Sequence, residues 1–420
     1  MANTYRPRTG PRRLLSAQLL SRAECNIMSI PTPKPTLLVA TSTLPARAGD
    51  GTPGFVLDLA KAVSGDFDVV IVAPMVGRAA RHEVIDGVTI HRYSYFPRRF
   101  QDLADGAIVE NLRAKRSRWV QVPFFFAAMA FALRRANKRY APALAHLHWI
   151  IPQGIVGSAV LGDLPRVVTT LGGDLYALQG GAPTRLKRRV IRGARFVTCM
   201  SADMAVELEK LGARSDQVRV IPMGVDVGPV ERAVESTPRE SGRLLFVGRL
   251  VEKKGAAVLL DALALLPADE SRSVIVVGDG PLRGRLEAQA GPEVEFVGQR
   301  GRDDLAREYA MASVALYPSV PASNGDRDGL PVALLEAMTA GCVVIASRAP
   351  GIVDVIVDGV NGLLVEPGDA TALANAVSRV EGDAALRERL GSAARETARD
   401  YSVEAVSAKY RDILGRTLHG

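Results

Sequence analysis

The chain has 420 residues, of which 47% are apolar, 23% charged and 5% aromatic. This length exceeds one ordinary domain and predicts two, each of about 150–200 residues. The net charge of +8 indicates an anionic partner, which a nucleic acid, an anionic lipid or a phosphate-bearing substrate would satisfy. The three cysteines, Cys25, Cys199 and Cys342, are too few and too dispersed for a disulfide framework or a CxxC metal site, which favours the reducing cytoplasm.

Residues 1–34 are basic, and we predict that they form a disordered tail. The segment carries five arginines against one acid, Glu24, and it has no sustained apolar run. A secretory signal requires an apolar core of about 7–15 residues. An alternative interpretation is that the start of the gene has been placed too far upstream and that Met28 is the true first residue.

The next part of the chain alternates short apolar runs with helical stretches. Strands are predicted over 36–40, 69–73, 165–170 and 195–199, and a helix is predicted over 55–63. This alternation is typical of a parallel, doubly wound sheet with helices on both faces. We therefore predict a first Rossmann-like domain over residues 35–225.

The same alternation of strands and helices begins again after a polar segment, 226–242, which we interpret as a linker. Further strands are predicted over 244–247, 274–277, 314–317 and 343–346. The second Rossmann-like domain is expected over 243–400. Residues 401–420 are expected to form a helix that packs back on the first domain.

One segment of the first domain differs from its surroundings. An apolar run over 123–133 lies between two basic clusters, with Trp119 and Tyr140 near its ends. A helix that spans a membrane needs about 20 apolar residues, so this run is too short. Two interpretations stay open: a core helix with solvated ends, or an interfacial contact with an anionic membrane.

The first chemical motif follows the strand at 244–247. Arg249 and Lys254 lie between Gly248, where the strand ends, and Gly255, where a helix opens. Ligands of parallel sheets bind at the carboxyl ends of strands, and helix N-termini favour phosphate. Arg249 and Lys254 can therefore neutralise a departing diphosphate.

The second motif contains two acids around the start of a helix. Asp328 lies on the loop before this helix, Pro331 suits its first turn, and Glu336 lies in its second turn. A carboxylate can accept hydrogen bonds from sugar hydroxyls or from a ribose diol. Glu336 follows four apolar residues, which is unusual for a solvated side chain.

Together these motifs resemble the retaining family-4 glycosyltransferases (group 1), which have the GT-B fold: two Rossmann-like α/β domains facing a central cleft. The resemblance also includes a glycine-rich first loop at 49–54 and covers most of residues 243–370. Further matching segments lie at 277–281, 296–298, 318–319, 350–351 and 358–365.

The resemblance implies roles for individual residues. Arg249 and Lys254 would hold the donor diphosphate, Glu336 the ribose and Asp328 the transferred sugar, while Gly298 to Arg300 would flank the base. No metal ion and no cofactor is implied. The other substrate-binding candidates are Gly51, Gly54, Gly173, Asp174, Gly248, Gly278, Gly329, Leu330 and Val332.

Three positions depart from the family pattern. Asp328 stands where a glutamate is usual, and Pro331 replaces a glycine and removes a backbone N–H. Both leave the identity of the sugar open. Leu171 stands where a histidine is common, and we expect His148 to be a neutral, structural histidine.

Two other patterns suggest different chemistry. Asp66 and Asp68 have DxD spacing, but they directly precede a strand and are predicted to form a turn. The segment Gly278–Gly280 lacks the third glycine and the later acid of a dinucleotide-binding site.

We therefore predict an enzyme that transfers a sugar from a UDP- or GDP-sugar to an acceptor hydroxyl, with retention. The acceptor would be a glycan or a lipid-linked glycan in cell-surface polysaccharide or glycolipid synthesis. The alternatives are a sugar-nucleotide isomerase or phosphorylase, a catalytically silent homologue, and a nucleic-acid-binding protein. The last is disfavoured because much of the excess charge lies in residues 1–34 and 113–139.

Overall fold

The computed structural model describes residues 1–2, 33–46, 54–106, 108–178, 180–267, 269, 271–323 and 329–420, without the side chains of Val109 and Glu110. Most of the predicted tail lies outside these residues. Two predicted site residues, Gly51 and Asp328, also lie outside them.

The first domain is built on a sheet that has eight strands in the described part of the chain. Their order is β3-β4-β2-β1-β5-β6-β7-β8, and all neighbours are parallel except β3 and β4. The strands are β1 (Thr36–Ala40), β2 (Asp68–Pro74), β3 (His82–Ile85), β4 (Val88–Tyr93), β5 (Leu144–His148), β6 (Arg166–Thr169), β7 (Phe196–Cys199) and β8 (Val218–Val220).

Helices cover both faces of this sheet, because alternate side chains of each strand point to opposite faces. Leu38 and Ala40 of β1 enter one apolar cluster, and Leu37 and Val39 enter the other. The helices are α1 (Phe55–Val63), α2 (Ile108–Ala114), α3 (Gln121–Tyr140), α4 (Ile155–Val160), α5 (Gly173–Tyr176), α6 (Gly181–Gly193), α7 (Ala202–Lys210) and, after the second domain in chain order, α15 (Val403–His419).

The second domain has a parallel sheet with the order β11-β10-β9-β12-β13-β14. The side chains of β9 alternate in the same way. Leu245 enters one apolar cluster, and Leu244 and Phe246 enter the other. The predicted fold class is confirmed. The elements are α8 (Gly228–Ser236), β9 (Arg243–Val247), α9 (Ala256–Leu263), β10 (Ser273–Val277), α10 (Arg283–Gln289), β11 (Val294–Gly298), α11 (Arg302–Met311), β12 (Val314–Tyr317), α12 (Val332–Ala340), β13 (Val343–Ser347), β14 (Leu363–Val365), α13 (Ala370–Glu381) and α14 (Ala384–Arg399).

An antiparallel hairpin, β3–β4, interrupts the parallel pattern at one edge of the first sheet, and the predicted elements did not include it. Asp86 and Gly87 form its turn, both with positive φ (48° and 82°). An Asp-Gly pair between two short runs is the expected sequence signal for such a turn. The hairpin could therefore have been found from the sequence.

The chain crosses between the two domains twice, and the crossings pair with each other. Val225 N donates to Tyr401 O at 2.9 Å, and Val403 N donates to Val225 O at 3.0 Å. A Cβ on Gly224 would lie 2.9 Å from Val403 Cα, so the close approach requires glycine. Beyond the crossing, α15 lies against α1, β5 and β6.

The segment interpreted as a linker is not irregular throughout, because its residues 228–236 form α8. Pro229 occupies the first turn, where its missing N–H costs nothing. Val230, Ala233 and Val234 follow a helical spacing, and α8 lies against α11 and α12. The helical spacing of these apolar residues within a polar segment could have indicated the helix from the sequence.

Helix α3 contains the apolar run with basic flanks. Phe125, Met129 and Leu133 are buried in the core, as the core-helix interpretation expects. Phe124 and Phe131 on the other side are 52% and 68% exposed. Among the described residues, no helix combines the length and the apolar character needed to cross a membrane.

Candidate functional site

The candidate site lies where the first strands of the second sheet end. After β9, Gly248 N donates to Val277 O at 3.0 Å, and Leu250 N donates to Asp279 O at 2.9 Å. The loop that follows β9 therefore runs alongside the loop that follows β10. An open cavity of about 480 Å³ lies between these loops. Its lining residues are Arg249, Gly278, Asp279, Gly280 and Gln299.

Glycines allow these loops to approach so closely. A Cβ on Gly278, whose φ is +138°, would lie 2.0 Å from Gly248 O. A Cβ on Gly255, whose φ is +69°, would lie 1.7 Å from Pro318 O. Neither position can accept a larger residue without moving the backbone. The glycines of the predicted motif therefore shape the cavity wall.

The two predicted diphosphate-binding residues lie on the loop that follows β9. Arg249 lines the cavity directly. Lys254 ends a single 3₁₀ turn (Glu252–Lys254), and its Cδ lies 3.5 Å from the position of a Cβ on Gly248. Helix α9 begins immediately after Gly255. Both residues thus belong to the segment between a strand end and a helix start, which is a favourable place for phosphate.

Glu336 lies in the second turn of α12, which begins at Val332, with Pro331 as its N-cap. The buried hydroxyl of Tyr309 donates to Glu336 Oε2 at 2.9 Å. Burial raises the pKa of Glu336, and the hydrogen bond from Tyr309 and the charge of Arg302 partly oppose this effect. Glu336 is therefore a held, partly desolvated carboxylate and not a solvated helix residue.

Two contacts involve described residues that precede α12. Glu252 accepts hydrogen bonds from the backbone N (2.9 Å) and Oγ (2.8 Å) of Ser323. On the other side, a Cβ on Gly351 would lie 2.8 Å from the backbone N of Leu330. The predicted residues Gly329 and Leu330 thus lie beside the segment 350–351. Val332 is 37% exposed at the start of the helix.

The predicted base-flanking segment follows β11. Gly298 O accepts a hydrogen bond from Gly278 N at 2.8 Å. Gly298 has a φ of +72°, and the next residue, Gln299, lines the cavity. Arg300 is exposed on the same loop. The structure therefore brings this segment to the same cavity as Arg249.

In the first domain, Asp174 has an internal role. Its carboxylate accepts hydrogen bonds from Ile150 N (2.5 Å), Thr170 Oγ1 (2.7 Å) and Leu171 N (3.3 Å). Burial raises the pKa of Asp174, and these hydrogen bonds oppose the shift. Asp174 therefore fixes the loop that contains Leu171 and Gly173. This favours an effect on substrate binding through the position of the loop and not through direct contact.

His148 ends β5 and is buried. Burial, together with neighbouring His146, lowers the pKa of His148 well below its ordinary value, so the ring is neutral. Its ring packs edge-on against Phe55, the first residue of α1, with centroids 6.1 Å apart. Gly54 is the N-cap of that helix. The expectation of a neutral, buried histidine agrees with this environment.

The two acids of the DxD pattern belong to a turn and to the strand that follows it. Asp66 lies in a turn, as predicted, and its Oδ2 is 3.1 Å from Arg411 Nε on α15, while Asp68 begins β2. Within the described ranges, no group of three or more His, Cys, Asp and Glu side chains is placed to hold a metal ion.

Several residues near the site were not predicted. Tyr309, the partner of Glu336, is on α11, and so is Arg302, which pairs with Asp226 at the chain crossing. Asp58 on α1 is within electrostatic range of both Arg302 and Asp226. These residues come together only through tertiary packing, so no local pattern indicates them.

Comparison with known families matches both halves of the chain. Residues 229–397 match the family described as Glycosyl transferases group 1, and residues 50–228 match Glycosyltransferase Family 4. The chain is 33% identical over 309 residues to the D-inositol 3-phosphate glycosyltransferase of Nocardioides sp., covering 67% of this chain and 64% of that protein. It is 30% identical over 244 residues to the lipopolysaccharide core biosynthesis glycosyltransferase LpsE of Rhizobium meliloti, covering 56% and 68%. The chain spans about half the length of several other curated relatives that it matches.

Two solved structures share the fold. Sucrose-phosphate synthase from Thermosynechococcus elongatus superposes with a TM-score of 0.70 at 23% identity, over 91% of this chain and 98% of that chain. HepE of Anabaena, solved in complex with UDP, gives a TM-score of 0.67 at 19% identity, over 91% and 100%.

The fold and the family matches agree. The protein is a two-domain α/β protein of the GT-B fold. It belongs to glycosyltransferase family 4, the group 1 glycosyltransferases.

Proposed function

We propose that this protein transfers a sugar from a UDP- or GDP-sugar to an acceptor hydroxyl, with retention at the anomeric carbon. The observation that carries the proposal is the cavity at the carboxyl edge of the second sheet, with Arg249 in its wall and Lys254 beside it. A nucleoside diphosphate is the ligand class that such a cationic, glycine-lined cavity suits. The UDP complex of HepE, which has the same fold, supports a nucleotide donor.

Transfer breaks the bond between the anomeric carbon and the diphosphate oxygen. Negative charge grows on the diphosphate, and positive charge grows on the sugar ring. Arg249 and Lys254 would stabilise the leaving diphosphate, because preorganised cations require little reorganisation during the reaction. We propose that no metal ion is needed for this step.

The nucleoside and the sugar would be held by different groups. Glu336 would accept hydrogen bonds from the ribose diol, and segment 298–300 would flank the base. Asp328, which precedes α12 in the sequence, would contact the transferred sugar. Gly54, Gly173 and the loop held by Asp174 would line the opposite, acceptor side.

We further propose that the acceptor is a glycan or lipid-linked glycan of the cell surface, reached at the inner face of the cytoplasmic membrane. LpsE, a related protein, is named for lipopolysaccharide core biosynthesis. Phe124 and Phe131 share the exposed side of α3 with Arg135 and Lys138, and this combination suits a peripheral contact with anionic lipid.

The test is a panel of UDP- and GDP-sugars, each incubated with and without candidate lipid-linked acceptors. Acceptor-dependent release of the nucleoside diphosphate, with an α-linked product from an α-linked donor, is the expected result. Conversion of the donor without acceptor would indicate an isomerase, and phosphate-dependent release of sugar phosphate would indicate a phosphorylase. Binding without turnover of any donor would indicate a catalytically silent protein.

A further inference from the structure

Arg302 occupies a junction between three parts of the chain. It is the first residue of α11, directly after the loop that borders the donor cavity. Its guanidinium forms an ion pair with Asp226, the residue after Val225, where the two chain crossings pair. The other carboxylate oxygen of Asp226 accepts a hydrogen bond from Gly228 N at 3.1 Å, so this acid is itself held.

The charge of Arg302 also reaches two further carboxyl groups. Burial raises the pKa of both Glu336 and Asp58. Arg302 opposes this shift in both acids, whereas Asp226 adds to it. Tyr309, which holds Glu336, follows Arg302 by two turns on the same face of α11. The guanidinium thus pairs with the acid at the crossing and is within electrostatic range of one acid on α1 and one on α12.

A simple stabilising role does not account for this position. The side chains of Arg302 and Asp226 are 62% and 46% exposed, and exposed pairs contribute little to stability. The ion pair matters because it fixes the position of the positive charge of Arg302. A bound diphosphate would add further negative charge next to acids that already repel one another.

We infer that Arg302 is a positioning residue for the donor, an inference that rests on the proposed function. Its charge compensates Asp58, Asp226 and Glu336, so that acids of the two domains can lie close together while a nucleoside diphosphate is bound. This role predicts that substitution of Arg302 and substitution of Asp226 or Asp58 have different effects on the affinity for a nucleoside diphosphate. Loss of Arg302 weakens binding, whereas loss of Asp226 or Asp58, neither of which is assigned a contact with the donor, does not.

Calorimetry with UDP and GDP on the full chain tests this inference. Arg302→Gln is expected to weaken binding about tenfold, an ordinary size for coupling between groups, while Arg302→Lys retains most of the affinity. Asp226→Asn alone binds as well as wild type or better. Asp226→Asn or Asp58→Asn restores part of the loss in the Arg302→Gln background. The difference between wild type and Arg302→Gln shrinks as salt is added.

The matched control is Arg307→Gln on the same helix, whose ion pair with Asp304 is equally exposed (61% and 60%). Its affinity should equal that of wild type. Equal affinities for Arg302→Gln and Arg307→Gln would overturn the inference, as would equal losses in Arg302→Gln and Asp226→Asn. If wild type binds neither UDP nor GDP, the proposed function fails as well. If Glu336→Ala loses binding and Arg302→Gln does not, only the inference fails.

Discussion

The hydroxyl of Tyr309 donates a hydrogen bond of 2.9 Å to Glu336 Oε2, joining α11 to α12. Glu336 accepts this bond in a largely buried position, where burial raises its pKa above the ordinary 4.5. In the role proposed for Glu336, the carboxylate would accept two ribose hydroxyls and would be needed in its ionised form. The proposal therefore predicts that the pH of the solution affects donor binding.

We predict that the affinity of wild type for free nucleoside diphosphate falls as the pH decreases through the raised pKa of Glu336, at a pH above 4.5. Glu336→Gln should bind more weakly at neutral pH and lose this pH dependence. Titration calorimetry across the pH range measures both effects. Asp328→Asn should bind the free diphosphate normally and impair only transfer, and equal losses in the two variants would contradict the division of roles.

The same shift affects folding with a definite sign. A carboxyl group whose folded pKa is raised contributes stability below the unfolded value, and this contribution is lost as the pH rises through the folded pKa. Glu336→Gln should therefore gain stability relative to wild type at pH 8 and lose that advantage at about pH 4. Thermal unfolding at both pH values tests this, with Glu287→Gln as an exposed control. A constant difference would contradict the assignment.

Arg249→Ala and Lys254→Ala should each lower kcat by about 10²–10³-fold, the cost of removing one charged donor from a leaving group. Arg249 lines the cavity, and Lys254 crosses beside Gly248. Steady-state kinetics with the best donor measure the effect, and Arg285→Ala on α10 provides a control for loss of a basic residue. Near-normal turnover in both site variants would show that the donor site lies elsewhere.

Gly255→Ala should unfold more easily than wild type. The substitution places a Cβ 1.7 Å from Pro318 O at a φ of +69°, and such backbone strain costs about 1–3 kcal/mol before any steric clash is added. Gly284→Ala is the matched control, because its Cβ meets no atom within 4 Å and its φ is negative. Urea midpoints compare the variants. Equal midpoints would mean that the loop after β9 is not built on this close approach.

Activity should persist in excess EDTA, because we assign stabilisation of the leaving diphosphate to Arg249 and Lys254. The measurement is the transfer rate with chelator present from the start, compared with added Mg²⁺ or Mn²⁺. Complete loss that either ion restores would refute this assignment.

Local sequence patterns predicted those elements whose residues all share the same kind of environment. β1 and α1 coincide with the predictions over 36–40 and 55–63, since a parallel strand buried on both faces is a continuous apolar run. Arg249, Lys254 and Glu336 were identified from motifs because short segments fix their geometry. Tyr309 is 27 residues from Glu336, and Arg302 is 76 residues from Asp226. Contacts of this kind depend on packing between elements, which no local spacing encodes.

The last prediction concerns α3 as a membrane contact. Phe124 and Phe131 are exposed, and the basic side chains of the last two turns of the helix are exposed as well. Each Lys or Arg near an anionic surface contributes about 1 kcal/mol, so these cations together could give several kcal/mol. Wild type should float with anionic vesicles at low salt and much less with neutral ones. The four cations are Arg134, Arg135, Lys138 and Arg139.

Changing these four residues to Glu should abolish flotation. The matched control makes the same change of charge on α6, whose exposed arginines also lie on one helix of the first domain, and it should float normally. Phe124→Ser with Phe131→Ser separates apolar insertion from simple charge attraction, because it should weaken binding even at low salt. The α6 control positions are Arg185, Arg188, Arg189 and Arg192. If wild type stays with the soluble fraction, or if both charge variants lose binding equally, α3 is not the docking surface and a soluble acceptor becomes the better hypothesis.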